Sequence, residues 1–158
     1  MKIGVLSDTH LRTMPLGLEK TILTYFMAVD MIFHAGDVVD TQALEIFDTS
    51  ELHLVAGNMD SLEIKEKYPA KKVLTVAGFK IGMIHGWGPP SGMEQRIRGE
   101  FGDVDCIVFG HTHTPCNRRI GKILFFNPGT ATDRRSAGMN SLGILRTGDH
   151  IDGEIIYL

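Results

Sequence analysis

The stretch Ile3-Gly4-Val5-Leu6-Ser7-Asp8-Thr9-His10 indicates the fold class. Its first four residues are apolar on both faces, which is typical of a strand buried in a parallel sheet. The strand then ends in polar residues, among them Asp8 and His10. A segment with apolar residues at helical spacing follows at 16–29. This order predicts an α/β unit with polar side chains beyond the carboxyl end of its strand.

The same pattern recurs along the chain, because one apolar run after another gives way to Asp, Asn or His. In open α/β sheets, ligands bind beyond the carboxyl ends of the strands, where loops from different strands converge. We therefore expect five such loops to meet at one end of the molecule. They are 7–10, 36–37, 57–60, 85–86 and 110–113.

The remaining segments alternate between strands and helices and become richer in strands in the second half. No Pro- or Ser-rich linker interrupts them, so we expect a single domain over residues 1–158. The pattern predicts helices at 16–29, 41–47 and 92–101, with a polar segment at 62–68. It predicts strands at 3–6, 31–35, 52–56, 73–76, 80–85, 105–109, 123–126, 141–145 and 154–158.

The composition narrows the function classes. Of the 158 residues, 43% are hydrophobic and 22% are charged, which is typical of a globular protein. The formal net charge is −3 and no basic stripe is present, which disfavours large nucleic acids and anionic membranes as partners. No apolar run reaches the ~20 residues of a membrane span, and the first residues turn polar too early for a signal peptide. We expect a cytoplasmic protein in which Cys106 and Cys116 are free thiols.

Seven side chains in the five loops are candidate metal ligands. They comprise two carboxylates, one amide and four imidazoles, which are donors suited to ions such as Mn²⁺, Fe²⁺, Ni²⁺ and Zn²⁺. A single catalytic zinc needs only three protein ligands, whereas two neighbouring ions need roughly seven or eight donors, including a carboxylate that bridges them. The set therefore fits two ions. Its members are Asp8, His10, Asp37, Asn58, His85, His111 and His113.

Five ordered motifs in these loops resemble those of the calcineurin-like metallophosphoesterase family, and closely those of its small single-domain phosphodiesterase branch in bacteria and archaea. The segment Asn127-Pro128-Gly129-Thr130 is similar to a loop common in that branch. Five motifs in order are far more specific than one, since a lone D-x-H often occurs by chance. The motifs are Asp8-x-His10, Gly36-Asp37-x-x-Asp40, Gly57-Asn58-x-Asp60, His85-Gly86 and Gly110-His111-x-His113.

The resemblance implies a four-layer α/β/β/α sandwich of two mixed β-sheets flanked by helices, with two metal ions at one end. By matching position, one ion would be held by Asp8, His10, Asp37 and His113. The other would be held by Asp37, Asn58, His85 and His111, so that Asp37 bridges the two. The implied reaction is in-line attack of a metal-bridging hydroxide on phosphorus, without a phosphoenzyme. The implied catalytic residues are Asp37, Asn58 and His85.

Met59 departs from the pattern of many larger family members, which carry at this position a histidine thought to protonate the leaving group. Methionine cannot donate a proton. We therefore expect turnover to depend on the acidity of the leaving group and to be faster for aryl esters than for alkyl phosphomonoesters. The small branch often lacks this histidine too, so Met59 does not mark an inactive enzyme.

Five further positions near the motifs have a functional and a structural interpretation. Trp87 is either an aromatic wall of a substrate pocket or a buried packing residue. Arg134, with Arg135 beside it, either contacts a substrate phosphate or is a solvated charge. We predict that Asp40 caps the helix after it. Asp60 has two equally supported roles, as a helix cap or as an acceptor for a ligating histidine.

The sequence thus predicts a phosphodiesterase that hydrolyses small phosphodiesters or activated phosphate esters with two divalent ions. Mn²⁺ is the first choice, with Ni²⁺, Fe²⁺, Zn²⁺ and Co²⁺ as alternatives. Phosphomonoesterase or nucleotide phosphatase activity is the alternative within the same chemistry. A non-catalytic interaction scaffold is the alternative from another class, since a similar retromer sorting subunit reuses the fold in this way. An exposed apolar edge in the second half would support a homodimer.

Overall fold

The computed structural model describes residues 1–47, 51–132 and 139–158, in which ten strands form two five-stranded sheets. The helices are α1 (Leu16–Phe26), α2 (Leu62–Lys67) and α3 (Met93–Arg98), together with a 3₁₀ helix at Thr41–Phe47. The strands are β1 (Lys2–Leu6), β2 (Met31–His34), β3 (Leu52–Leu54), β4 (Lys71–Val76), β5 (Phe79–Ile84), β6 (Cys106–Val108), β7 (Cys116–Ile120), β8 (Ile123–Asn127), β9 (Ser141–Thr147) and β10 (Ile151–Tyr157).

Both sheets are mixed. The first has the strand order β10-β9-β1-β2-β3, in which β1, β2 and β3 are parallel and the other two strands run antiparallel to their neighbours. The second has the order β4-β5-β6-β8-β7, in which β5, β6 and β8 are parallel and both edge strands are antiparallel. Each sheet therefore has a central parallel set whose loops leave at the same edge.

An apolar layer lies between the two sheets. In β1, Ile3 and Val5 face this layer, where they join Met83 of β5 and Phe126 of β8 in one buried cluster. Leu6, the next residue in the alternation, belongs instead to the cluster on the outer face of the first sheet. Apolar residues on both faces of a strand are what a sheet covered on both sides requires.

Helices cover the outer face of each sheet. Ile22 and Phe26 of α1 pack on the first sheet together with the 3₁₀ helix and α2. At Gly4, an added Cβ would lie 2.9 Å from the Phe26 ring, so the absence of a side chain lets α1 pack close to the sheet. Met93 and Ile97 of α3 pack on the outer face of the second sheet. The predicted four-layer α/β/β/α sandwich is confirmed.

Several predicted elements differ from the observed ones at their ends. The helix predicted at 16–29 ends at Phe26, and the helix predicted at 41–47 is 3₁₀ rather than α. Strand β7 was not predicted, because four of its five residues are exposed and it pairs only along the edge of the sheet with β8. Among the described residues, no helix has the length and apolar character that crossing a membrane requires.

Candidate metal centre

The loops after five parallel strands of both sheets meet at one end of the sandwich, as the sequence predicts. Asp8 follows β1 and His113 lies in the loop after β6, yet Oδ1 of Asp8 is 3.4 Å from Nε2 of His113. Asp37 follows β2 and His85 follows β5, and Oδ2 of Asp37 is 3.3 Å from Nε2 of His85. Side chains far apart in sequence thus share one cluster built across the two sheets.

Five of the seven predicted ligands form two overlapping groups. In each group, one ligand atom from every residue lies within 4.8 Å of the others, and Asp8 belongs to both groups. Asp37 also lies between them, because its Oδ2 is 3.8 Å from Nε2 of His10 and 3.3 Å from Nε2 of His85. The groups are Asp8, His10 and His113, and Asp8, Asp37 and His85.

Asn58 and His111 lie beside these groups rather than within them. Oδ1 of Asn58 is 3.1 Å from Nδ1 of His111, and the His111 ring packs edge-on against His85 with a centroid distance of 5.3 Å. Nε2 of His111 lies 3.1 Å from the carbonyl oxygen of Gly88. The structure therefore places all seven predicted ligands at one end, although the assignment of each ligand to an ion stays a prediction.

His85 has the chemistry of a metal ligand. Its Nδ1 donates a hydrogen bond of 2.8 Å to the carbonyl oxygen of Ala35, which leaves the lone pair on Nε2. Nε2 is buried, has no hydrogen-bond partner among the described residues, and faces the carboxylates of Asp37 and Asp8 at 3.3 and 3.9 Å. A lone pair facing two carboxylates is repulsive unless a cation or a proton lies between them. These residues therefore fit a divalent cation.

Burial and neighbouring charges shift the pKa values of this cluster in different directions. Burial raises the pKa of Asp8 above its ordinary value. Burial also acts to raise the pKa of Asp37, but the contact with His85 and the backbone N–H of Met59 outweigh it and hold that pKa below the usual range. For His85, burial lowers the pKa, and the nearby Asp37 and Asp8 carboxylates more than reverse this. The Asp37 carboxylate is thus favoured in its charged form, and the His85 imidazole gains affinity for a proton.

The two buried carboxylates are held by short hydrogen bonds. Asp8 is 0% exposed, and its Oδ2 accepts from the Ser7 hydroxyl at 2.6 Å and from the backbone N–H of His111 at 3.0 Å. Asp37 is 2% exposed, and its Oδ1 accepts from the backbone N–H of Met59 at 2.7 Å. These donors fix the orientation of both carboxylates.

The backbone at the centre is strained. Five of the seven candidate ligands have φ values in the left-handed region, which costs a non-glycine residue roughly 1–2 kcal/mol. Such strain persists where the surrounding structure imposes it, and it concentrates at functional sites. The residues and their φ values are Asp8 (52°), His10 (47°), Asp37 (57°), His111 (67°) and His113 (57°).

Two threonines in the loop after β8 hold the first strained loop. The Thr130 hydroxyl donates to the carbonyl oxygen of Asp8 at 2.7 Å, and the Thr132 hydroxyl donates to that of Thr9 at 2.6 Å. Sequence reasoning did not assign these roles, although it singled out the segment that contains Thr130. A short polar loop directly after a buried strand was the available signal.

Asp60 connects two loops of the first sheet. Its Oδ2 accepts from the backbone N–H groups of Asp37 at 3.1 Å and Gly57 at 2.7 Å, and its Oδ1 accepts from that of Val39 at 2.7 Å. It is therefore neither a helix cap nor the acceptor of a ligating histidine. Asp40 behaves as predicted, because its Oδ1 accepts from the N–H of Gln42 in the first turn of the 3₁₀ helix.

Two glycines allow the loops to approach the carboxylates closely. A Cβ at Gly57 would overlap Oδ1 of Asp37, and a Cβ at Gly110 would overlap the hydroxyl of Ser7 and lie 2.6 Å from Oδ2 of Asp8. Any side chain at either position would displace a carboxylate, so only glycine fits at these positions of the two motifs.

The remaining predicted site residues have different outcomes. Trp87 is 45% exposed, so its interpretation as a buried packing residue is wrong. Arg134 and its neighbour Arg135 lie outside the described residues. His34 lies beneath the loops, where its Nδ1 accepts from the N–H of Gly36 at 3.2 Å. Burial lowers the pKa of His34 to about 4.

Comparison with known proteins shows the family of the chain. Residues 1–150 match the calcineurin-like phosphoesterase superfamily domain. The chain belongs to this superfamily. A probable metallophosphoesterase of Methanocaldococcus jannaschii is 36% identical over 160 residues, which cover 99% of this chain and 81% of the relative. The family assignment makes the protein a hydrolase of phosphate esters, from a family that uses divalent metals.

Two solved structures are similar to this metallophosphoesterase over its whole length. One is an archaeal phosphodiesterase, with a TM-score of 0.78, 26% identity and complete coverage of both chains. The other is Vps29 from Entamoeba histolytica, with a TM-score of 0.76, 23% identity, and coverage of 100% of this chain and 99% of that chain. At this lower identity the likeness to Vps29 concerns the fold alone.

Proposed function

We propose that the protein is a phosphodiesterase that hydrolyses small phosphodiesters or activated phosphate esters at a centre of two divalent ions. The observation that carries this proposal is the pair of overlapping ligand groups, in which both Asp8 and Asp37 lie between imidazoles of the two groups. Carboxylates placed between two sets of neutral donors suit two adjacent ions, since each carboxylate can share its charge between them.

Two divalent ions at these residues would supply a water of lowered pKa as nucleophile and would neutralise charge on the phosphoryl oxygens. The chain prepares the site for this chemistry. Asp8 and Asp37 are oriented by Ser7 and by the backbone N–H groups of His111 and Met59, so they need no reorganisation during the reaction. The side chains of His10 and His113 are 24% and 17% exposed and form the open side of the centre.

A diester, or an ester with an activated leaving group, is proposed as substrate on two grounds. The chain is similar along its whole length to an archaeal phosphodiesterase. Met59, whose side chain is 59% exposed, offers no proton to a leaving group. A leaving group that departs without protonation, as in aryl or otherwise activated esters, suits such a site.

Phosphomonoesterase activity would use the same ions and differs in what lies beyond them. The interaction-scaffold alternative has its support in the fold similarity to Vps29. Against it stands the donor set, since every predicted ligand position carries a side chain able to bind a metal. Mn²⁺ is the proposed ion, with Ni²⁺, Fe²⁺, Zn²⁺ and Co²⁺ as alternatives.

The test uses metal-stripped protein to which Mn²⁺, Ni²⁺, Zn²⁺ or Mg²⁺ is returned. Hydrolysis of bis(p-nitrophenyl) phosphate and of p-nitrophenyl phosphate is then measured side by side, with the leaving group held constant. We expect metal-dependent hydrolysis with a higher kcat/KM for the diester. A higher kcat/KM for the monoester would identify a phosphomonoesterase. Absence of hydrolysis with every ion, despite bound metal, would favour the scaffold.

A further inference from the structure

A cavity of about 310 Å³ opens beside the metal centre. Asn58 and His85, two of the predicted ligands, also line this cavity. The cavity is therefore within reach of an ester substituent on a phosphorus atom at the centre. The volume is at the lower end of the range for small-molecule sites, which suits a single ring system rather than a long chain.

The walls of the cavity are mostly apolar. Ala56, Ala70 and Ile84 contribute small or aliphatic side chains, and Trp87 contributes the one large aromatic surface among the lining residues. An indole that is 45% exposed at the mouth of an apolar cavity presents a face on which a planar ring can stack.

The segment that carries Trp87 is held in place by one arginine. The Arg96 guanidinium donates to the carbonyl oxygen of Trp87 at 3.2 Å, to that of Ser91 at 2.8 Å, and to that of Pro89. The contact between His111 and the carbonyl oxygen of Gly88 joins the same segment to the centre. A segment fixed at four carbonyl groups positions the indole before any ligand arrives, which lowers the entropic cost of binding.

Polar groups also line the cavity. Nζ of Lys71 pairs with Oε2 of Glu100 at 2.7 Å, and both side chains line the cavity. An ammonium and a carboxylate together offer a donor and an acceptor to heteroatoms on the edge of a ring. The cavity thus combines a stacking face with a hydrogen-bonding pair.

We propose that this cavity is a subsite for a planar aromatic substituent of the phosphate ester, which stacks on Trp87 with its polar edge toward Lys71 and Glu100. This inference rests on the proposed function, because it places the phosphoryl group at the metal centre. It specifies the substrate class as an ester of an aryl alcohol or of a nucleoside.

The test exploits the fact that Trp87 is the only tryptophan in the chain. The Zn²⁺-loaded protein is titrated with phenylphosphonate and with methylphosphonate, neither of which is an ester. Tryptophan emission and titration calorimetry are recorded for each. We expect phenylphosphonate to change the emission saturably and to bind roughly five- to tenfold more tightly than methylphosphonate, as aromatic stacking predicts.

Substitutions of Trp87 test whether the preference for phenylphosphonate arises at this residue. Trp87→Ala should reduce phenylphosphonate affinity to that of methylphosphonate, and Trp87→Phe should retain most of the preference. Met27→Ala truncates a side chain that is 85% exposed and follows α1, and it serves as the control. A nucleoside 5′-phosphonate distinguishes the two sources of the ring: tighter binding than phenylphosphonate identifies a nucleobase, and weaker binding identifies a simple aryl group.

The outcomes separate this inference from the proposed function. Equal affinity of the two simple phosphonates, with unchanged emission, would overturn the aromatic subsite even if the protein hydrolyses bis(p-nitrophenyl) phosphate. A saturable emission change in the wild type, together with a calorimetric preference for phenylphosphonate that Trp87→Ala abolishes, would support the subsite even if no ester is hydrolysed. In that case the function, and not the cavity, would need a new interpretation.

Discussion

The two sheets contribute different chemistry to the centre. The loops of the first sheet supply both carboxylates, the amide and one imidazole, through Asp8, Asp37, Asn58 and His10. The loops of the second sheet supply only imidazoles among the seven candidates, through His85, His111 and His113. Permanent negative charge therefore comes from one sheet, and most of the neutral donors come from the other.

The loops are also braced differently. Within the first sheet, Asp60 links the loops after β2 and β3, and Met59 binds Asp37. The second-sheet residues are held across the interface, because His85 donates to Ala35 and the N–H of His111 donates to Asp8. Contacts within the first sheet thus preorganise Asp37, whereas Asp8 is held partly from the second sheet, and the centre is complete only when the sheets pack together.

The largest expected effect is loss of the Asp37 charge, which lies between the imidazoles of His10 and His85. Asp37→Asn keeps the shape of the side chain but removes its charge, and residues that act as a unit lose nearly all activity when one is removed. We expect kcat/KM for an aryl phosphodiester to fall at least about 10⁴-fold. Asp40→Asn, in the same loop, is the control and should stay near the wild-type value. Activity of Asp37→Asn within tenfold of wild type would contradict this role.

The second effect concerns the leaving group. Met59 cannot donate a proton to the leaving group. We therefore expect kcat for a diester with an alkyl leaving group to be about 10²–10⁴-fold lower than kcat for an aryl diester, because general acid catalysis usually contributes a factor of this size. The measurement is kcat across a series of leaving groups of increasing pKa. A flat dependence with chemistry rate-limiting would reveal another donor at the centre.

The third prediction concerns Asp60, which links the loops after β2 and β3 of the first sheet. Asp60→Asn replaces an acceptor with a donor against three backbone N–H groups, so at least one buried N–H loses its partner. We expect metal affinity to fall by about 10–100-fold, the range for groups that orient ligands. Titration calorimetry with Mn²⁺ measures this, with Asp40→Asn as the matched control. Unchanged affinity would show that the two loops need no such link.

The last prediction concerns the stability of the fold and has the smallest bearing on the reaction. It involves His34, which lies beneath the centre. Burial lowers its pKa from 6.5 to about 4, so the unfolded chain binds a proton there at a higher pH than the folded chain does. The free energy of unfolding should therefore fall as the pH decreases through this window, by up to about 3 kcal/mol.

His34→Asn keeps an acceptor near the N–H of Gly36 but does not titrate. Urea unfolding of the metal-free proteins at pH 7 and pH 4.5 should show a smaller loss for this variant than for the wild type. An equal loss in both proteins would assign the acid sensitivity to other groups.

The strands that carry the centre were predictable because their signals are local. A short apolar run followed by Asp8 or Asp37 shows burial, strand type and a polar loop within ten residues. The sequence of β7 contains no such signal, because its residues Asn117, Arg118 and Arg119 are polar and lie on an exposed edge strand. Its place depends on pairing with β8, which periodicity does not encode.

The same limit applies within the centre. Motif spacing placed the seven candidate ligands at one end, but the roles of Asp60 and Thr130 depend on backbone groups that fold back from distant loops. Asp60 has the sequence context of a helix cap, and only the three-dimensional arrangement shows which N–H groups it satisfies. Candidate metal ligands can therefore be predicted from sequence more readily than the hydrogen bonds that hold them in place.

The most direct test of the account measures metal content and catalysis on the same sample. Metal-stripped protein is titrated with Mn²⁺, and the number of ions bound per chain is compared with the rate of bis(p-nitrophenyl) phosphate hydrolysis. We predict two ions per chain, with hydrolysis rising mainly as the second binds and with both features lost in Asp37→Asn. Full activity at one ion per chain, or hydrolysis that ignores the metal, would contradict it.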